Sequence, residues 1–172
     1  IKIYEEGADV PTVFGDRIMY SMPNRFDTFP SFNYIDVVKG DAEDYVKLES
    51  YADRLLAFKQ KSVQVINVSS PSDSNWFLET DVKHNGVKNP GAVFRTEFGI
   101  CWVNDNGCYI YDGSKIVNII DNKIDDSTWA SFINDTSIVG YEKRKKQIIV
   151  VKNEDGAATN TGNAYIYDIK TK

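Results

Sequence analysis

The sequence predicts an all-β protein, a partial β-propeller of about three to four antiparallel blades with one short helix, and three observations carry that prediction. Ten Tyr, nine Phe and three Trp make 13% of the chain aromatic, and together with abundant Val and Ile they suit half-buried sheet surfaces better than helices. Strand-like pairs recur at nearly constant offsets: 45 residues from Leu55 to Ile100 and from Val63 to Cys108, 48 from Ile100 to Ile148, and 37 from Ile18 to Leu55. A period of about 40 to 50 residues with two central strands per unit matches a four-stranded blade, whereas a sandwich spaces shorter strands every ~8–12 residues. Turn residues fall between the paired strands, as hairpins require.

Taken in order, the first copy is Arg17-Ile18-Met19-Tyr20. The segment from Pro23 to Pro30, with Phe26 and Phe29 between two prolines, reads as a loop whose aromatics pack down. The second copy pairs Arg54-Leu55-Leu56-Ala57-Phe58 with Ser62-Val63-Gln64-Val65-Ile66. In the third, Gly99 to Val103, Cys108 to Tyr111 and Lys115 to Ile120 read as three strands, with Asn106-Gly107 and Asp112-Gly113 at the turns where positive φ is favoured. A helix is expected next, capped by Asp126 or Ser127, because Trp129, Phe132 and Ile133 fall at i, i+3 and i+4 on one apolar face. It would plug the gap between blades. The fourth copy pairs Gln147-Ile148-Ile149-Val150-Val151 with Ala164-Tyr165-Ile166-Tyr167-Asp168 across a polar insertion, in which Ala157 to Gly162 is the segment expected to be most flexible.

At 172 residues the chain suits a single propeller-type domain, 1–172, or a fragment of a larger propeller. It opens on Ile1-Lys2-Ile3-Tyr4 and not on Met, the pattern expected of a cleaved or excised piece. Charged residues at 26% and hydrophobic residues at 42% exclude wholesale disorder. A net charge of −5 argues against a phosphate-gripping nucleic-acid binder, which needs a basic excess. The basic run Lys143-Arg144-Lys145-Lys146 reads as a solvated turn between strands. The apolar runs are too short for a membrane span. Cys101 and Cys108 flank a turn and read as two free, partly buried thiols.

Chemistry-bearing patterns are sparse, and no catalytic, cofactor-binding or metal residue is assigned. His84 lies in the turn sequence Lys83-His84-Asn85-Gly86, with nothing to build a triad or metal cluster around it. The pairs Asp125-Asp126 and Asp41 with Glu43 and Asp44 invite a glycosidase reading, but adjacent acids in polar turns do not give two carboxyls at a fixed separation across a pocket. Asp73-Ser74-Asn75-Trp76 is similar to a sialidase Asp-box but lacks its glycine. Asp41-Ala42-Glu43-Asp44 lacks the spacing of a calcium loop.

Asp16-Arg17-Ile18-Met19-Tyr20-Ser21, Phe26-Asp27-Thr28-Phe29-Pro30, Asn33-Tyr34-Ile35-Asp36-Val37 and Asp53-Arg54-Leu55-Leu56-Ala57-Phe58-Lys59 follow one another as a strand ending in Tyr-Ser, a Phe-Pro loop, an Ile-Asp-Val strand and an Arg-Leu-Leu-x-Phe strand. Gly99 to Val103, Asn106 to Gly113 and Lys123-Ile124 before Trp129 continue the pattern. In these motifs the chain resembles a family of tailed-bacteriophage structural β-propellers over roughly Asp16 to Trp129. That resemblance implies a virion protein of the tail nozzle, head-tail stabilising or hub type, assembled in the host cytoplasm, and the lack of an assembled acid-base or nucleophile set makes the expected protein non-enzymatic. Its implied partners are other virion subunits in a homo-oligomeric ring around a DNA channel, with no cofactor and no membrane. Four copies are too few for a closed ring of six to eight blades, so further blades are expected on other sequence. An acidic wall would let a duplex pass without gripping it. The alternative is a carbohydrate- or receptor-binding propeller that stacks Trp76, Trp102 or Trp129 on sugar, although Trp102 and Trp129 sit on patterned apolar faces that suit the core. A glycoside hydrolase is a third reading.

Overall fold

The computed structural model describes residues 2–3, 9–10, 12–13, 17–37, 43–152 and 164–171. The polar insertion of the fourth copy, the Asp41-Ala42 part of the acidic run and Ile1 and Tyr4 of the opening strand-like segment lie outside these residues. The chain divides into two compact units, Ile1–Tyr45 and Val46–Lys172.

In the first unit β1 (Lys2–Ile3) pairs antiparallel with β2 (Thr12–Val13), and β3 (Arg17–Met19) pairs antiparallel with β4 (Tyr34–Asp36). Ile18 sits opposite Ile35 and is buried, while the Arg17 guanidinium donates to both Asp36 carboxylate oxygens at 2.9 and 3.0 Å and lies 3.6 Å over the Tyr34 ring. The loop between β3 and β4 is tied by its own backbone: Tyr20 donates to Asn33 O, Met22 to Thr28 O and Arg25 to Met22 O. Asn24, at φ 59°, makes the tight bend between Met22 and Arg25. The expectation that the loop aromatics pack down is wrong. Phe26 is 86% exposed, Phe29 52% and Phe32 75%, because short turns spend the backbone on bonding itself and leave these side chains facing outward.

The second unit holds three antiparallel meanders. The first runs β5 (Tyr45–Tyr51), β6 (Arg54–Lys59), β7 (Ser62–Asn67), β8 (Phe77–Lys83), and the second β9 (Val93–Thr96), β10 (Gly99–Asn104), β11 (Gly107–Tyr111), β12 (Ile116–Asn118). The third runs β13 (Ile138–Glu142), β14 (Gln147–Val151), β15 (Ala164–Asp168). In each, every strand pairs with its sequence neighbours. Leu55, Ile100 and Ile148 each occupy the second position of the second strand, opposite Ile66, Tyr111 and Tyr167. The repeat read from the sequence is therefore a repeat of strand order and position.

Turn chemistry differs from expectation at one hairpin. The two-residue loop between β10 and β11 is Asp105-Asn106, and Gly107 is already the first residue of β11, opposite Asn104. Gly107 does not take a positive φ; a Cβ there would meet the Asn118 side chain at 2.6–2.9 Å, so close approach selects glycine. Gly113 does take the left-handed region, at φ 102°. The third copy has four strands and not three, because β9 adds to the near edge of β10, and its last strand is shorter, ending at Asn118 with Ile119 and Ile120 buried beyond it.

Helix α1 (Asp126–Phe132) follows β12. Its cap is Asp125, one residue earlier than expected: the Asp125 carboxylate accepts from Thr128 N at 2.9 Å and from the Ser127 and Thr128 hydroxyls at 2.7 and 2.6 Å, satisfying a donor the first turn leaves open. Trp129, Phe132 and Ile133 are buried as the periodicity predicts. Trp129 donates its indole N–H to Asn104 O at 2.8 Å, and Phe132 packs edge-on to Tyr165 at 4.6 Å, so the helix bridges the end of β10 to β15.

One core runs through all three meanders, drawing Leu56, Phe58, Val63 and Val65 from the first, both faces of β10 from the second, and Val139, Ile148 and Val150 from the third. Trp102 stands at its centre, edge-on to Phe58 at 5.4 Å and stacked on Tyr109 at 5.5 Å. Full burial of such side chains stabilises by about 1.5–3 kcal/mol each. Polar ties join successive meanders at nearly the repeat spacing. Lys47 donates to Val93 O at 2.7 Å, Asn89 to Ser137 O at 3.0 Å, and Glu97 takes the Tyr141 hydroxyl at 2.9 Å and the Lys146 ammonium.

Candidate assembly interface

The three meanders are not covered alike. In β10 the consecutive residues Ile100, Cys101, Trp102 and Val103 are all buried, so alternating side chains on both faces of the sheet are enclosed. In β14 only Ile148 and Val150 are buried, and the residues between them are half-exposed. The third sheet thus has one face in the core and one face open.

Register defines the open face row by row. Gly140 lies opposite Ile149, and Ile149 opposite Ile166, forming one apolar row across three strands; Glu142, Gln147 and Asp168 form the next row. Ile166 is 63% exposed, and a Cβ on Gly140 would meet nothing within 4 Å. The row is therefore two isoleucines beside an unoccupied glycine position, with carboxylates about two residues, ~7 Å, along the strands. Asp168 accepts from Lys170 N and Thr171 N, which hold its carboxyl below the usual range and keep it charged. Both four-stranded meanders cover their third strand with a fourth, whereas β15 is the outer strand of its sheet among the described residues.

The other features the sequence singled out lie apart from this face. His84 is an exposed turn residue at φ 63°, whose carbonyl accepts from Asn104 and Asn106 side chains. Asp73 to Asn75 form an exposed single turn of 3-10 helix, and Trp76 beyond it is half-buried with its indole bonded to Ser70 O. Asp125 serves the helix cap. Its three hydrogen bonds, led by those from Thr128 and Ser127, hold its pKa at about 2, the opposite of what a general acid needs. Trp102 and Trp129 are buried and unavailable for stacking on a sugar. The basic run forms the exposed turn between β13 and β14, with Lys146 at φ 60° reaching to Glu97. Cys101 and Cys108 are both fully buried, their sulfurs 3.9 Å apart on neighbouring strands, and the neighbouring thiol together with burial pushes the Cys108 pKa well up. Among the described residues no three His, Cys, Asp or Glu side chains gather as a metal site.

A cleft of about 200 Å³ opens between the first two meanders, walled by Val65, Val82, Tyr111 and Ile116 with Glu79 and Lys115 at its mouth. Two of its polar groups are engaged: Arg54 and Asn67 hold Glu79, whose carboxyl is lowered chiefly by Arg54, and the Tyr111 hydroxyl donates to Gly113 O. It is a seam between packed sheets. The open face of β13, β14 and β15 had no local signature, because Ile149 and Ile166 read like any core-facing strand residues.

No protein-family model matches this sequence, and comparison with curated proteins returns no match.

Proposed function

We propose that this chain is a non-enzymatic assembly module, a run of propeller blades from a tailed-phage structural protein that joins other subunits of the tail or head-tail region into a ring. The observation that carries this reading is the three consecutive meanders of like strand order, offset by 45 and 48 residues, the last of which has an apolar face only partly covered by the described residues. In a blade array each sheet is covered by the next. Here β10 is enclosed on both sides and β14 on one, so the third sheet calls for another surface to complete it. The resemblance of the Asp16 to Trp129 motifs to phage structural propellers adds the virion context. The net charge of −5 suits a wall that a duplex slides past. Sedimentation of the purified chain together with negative-stain imaging tests the reading: concentration-dependent assembly into annular particles is expected. A chain that stays monomeric throughout the micromolar range, or that hydrolyses polysaccharide, overturns it.

A further inference from the structure

The two cysteines lie on the β10–β11 hairpin, away from the open face of the third sheet. Register places Cys101 of β10 opposite Ile110 and Cys108 of β11 opposite Val103, so the two are diagonal neighbours on one face of their sheet. Their sulfurs are 3.9 Å apart, thiol against thiol, and both residues are buried, Cys101 at 0% and Cys108 at 1% exposure. A disulfide bond of about 2.05 Å requires the sulfurs to approach by roughly 2 Å, a distance that side-chain rotation covers. Cys108 stands beside the Asp105-Asn106 turn, whereas Cys101 lies within an enclosed strand. Opening of the hairpin tip therefore exposes Cys108 first.

We propose that this pair is a redox-sensitive latch: a dithiol in a reducing compartment, and a disulfide joining β10 to β11 after exchange with a small disulfide such as oxidised glutathione. In a transient opening of the tip, the Cys108 thiolate attacks one sulfur of the small disulfide, a mixed disulfide forms on Cys108 and one small thiolate leaves. Cys101, on the facing strand, then attacks the Cys108 sulfur as thiolate. The Cys101–Cys108 bond forms and the second small thiolate leaves. The two protons given up by the cysteines end on the small thiols, so one small disulfide is reduced as two protein thiols are oxidised. Because β10 is enclosed on both faces, the cross-link ties a deeply packed strand to its neighbour and restricts the unfolded chain. The latch is independent of the assembly reading.

The purified, reduced and folded chain is incubated with oxidised glutathione, then followed by intact mass and by alkylation of the thiols that remain. The expected product is a single chain lighter by two hydrogens, with no thiol left to alkylate and no glutathione attached. Its melting temperature should rise by several degrees, and dithiothreitol should return it to the reduced value. Cys101→Ala and Cys108→Ala, checked for folding by circular dichroism, should show no such rise; a rise in either would assign the stabilisation to something other than the cross-link and overturn the latch. The wild-type result decides the matter even where a variant does not fold. A folded wild type that keeps both thiols through the incubation, holds a stable glutathione adduct or forms a disulfide-linked dimer overturns the latch. So does an oxidised chain that melts no higher than the reduced one.

Discussion

At the residue scale, Trp102 shows how one side chain serves two sheets. It lies in β10, its ring meets Phe58 of the first meander and stacks on Tyr109 of its own, and it is fully buried. Among the described residues its indole N–H has no acceptor, an uncompensated desolvation that the packing outweighs. Trp102→Ala should therefore cost about 3–5 kcal/mol of unfolding free energy. Trp102→Phe, which keeps most of the ring contact and removes the orphaned donor, should cost less than half as much. Urea unfolding followed by circular dichroism measures both, and equal losses would show that ring volume is not what this position supplies. The buried tryptophans were legible in the sequence because each sits on an apolar run or at helical spacing. The exposure of Phe26 and Phe32 was not, since an aromatic in a loop reads alike whether it packs inward or outward.

At the element scale, α1 is short enough that its cap decides its stability. Three donors converge on Asp125 and hold its pKa at about 2, led by the Thr128 hydroxyl. The folded value lies below the unfolded value of about 3.9. The stabilisation is therefore complete above roughly pH 4 and is lost as pH falls toward 2. Asp125→Ala should lower the melting temperature at neutral pH, and the difference from wild type should shrink through that acid window; a difference constant with pH would place the cap's contribution elsewhere. The helix itself was readable from Trp129, Phe132 and Ile133, but its boundary slipped by one residue because Asp125, Asp126 and Ser127 are all competent caps. Strand existence followed the same logic. The strands β6, β7, β10, β11, β14 and β15 were visible as segments rich in apolar residues, and reading the basic run as a turn between strands implied a strand where β13 lies, while β5, β8 and β9 were missed. Segments such as Phe77-Leu78-Glu79-Thr80-Asp81 mix polar and apolar residues, as outer strands that face solvent do.

At the scale of the second unit, Glu97 holds two meanders together. It sits in the turn between β9 and β10 and accepts from Tyr141 of β13 and from Lys146 beside β14, which lower its own carboxyl, the ammonium first. Desolvation, followed by the bond to Glu97, raises the Tyr141 hydroxyl to about 12. A folded value above the unfolded value of about 10 means that this contribution is intact below pH 10 and is lost as pH rises toward 12. Relative to wild type, Tyr141→Phe should be less stable at pH 8, with the gap closing between pH 10 and 12 in thermal melts. A gap unchanged across that window would mean that the phenol does not bridge the sheets.

The sequence alone determined the all-β class, the positions of the central hairpin strands and the 45- and 48-residue repeat, because buried strands are rich in Val, Ile, Leu and aromatic residues and hairpins need turn residues between them. It also determined that the basic run is a turn and that His84 occupies one. The tertiary structure alone decided which faces are covered. Ile100 and Ile149 are the same residue type on second strands of like meanders, yet one is enclosed and the other half-exposed, because β10 has a sheet on either side and β14 has one. A local sequence records what a strand is able to bury; whether a neighbouring sheet is present to bury it depends on residues distant along the chain.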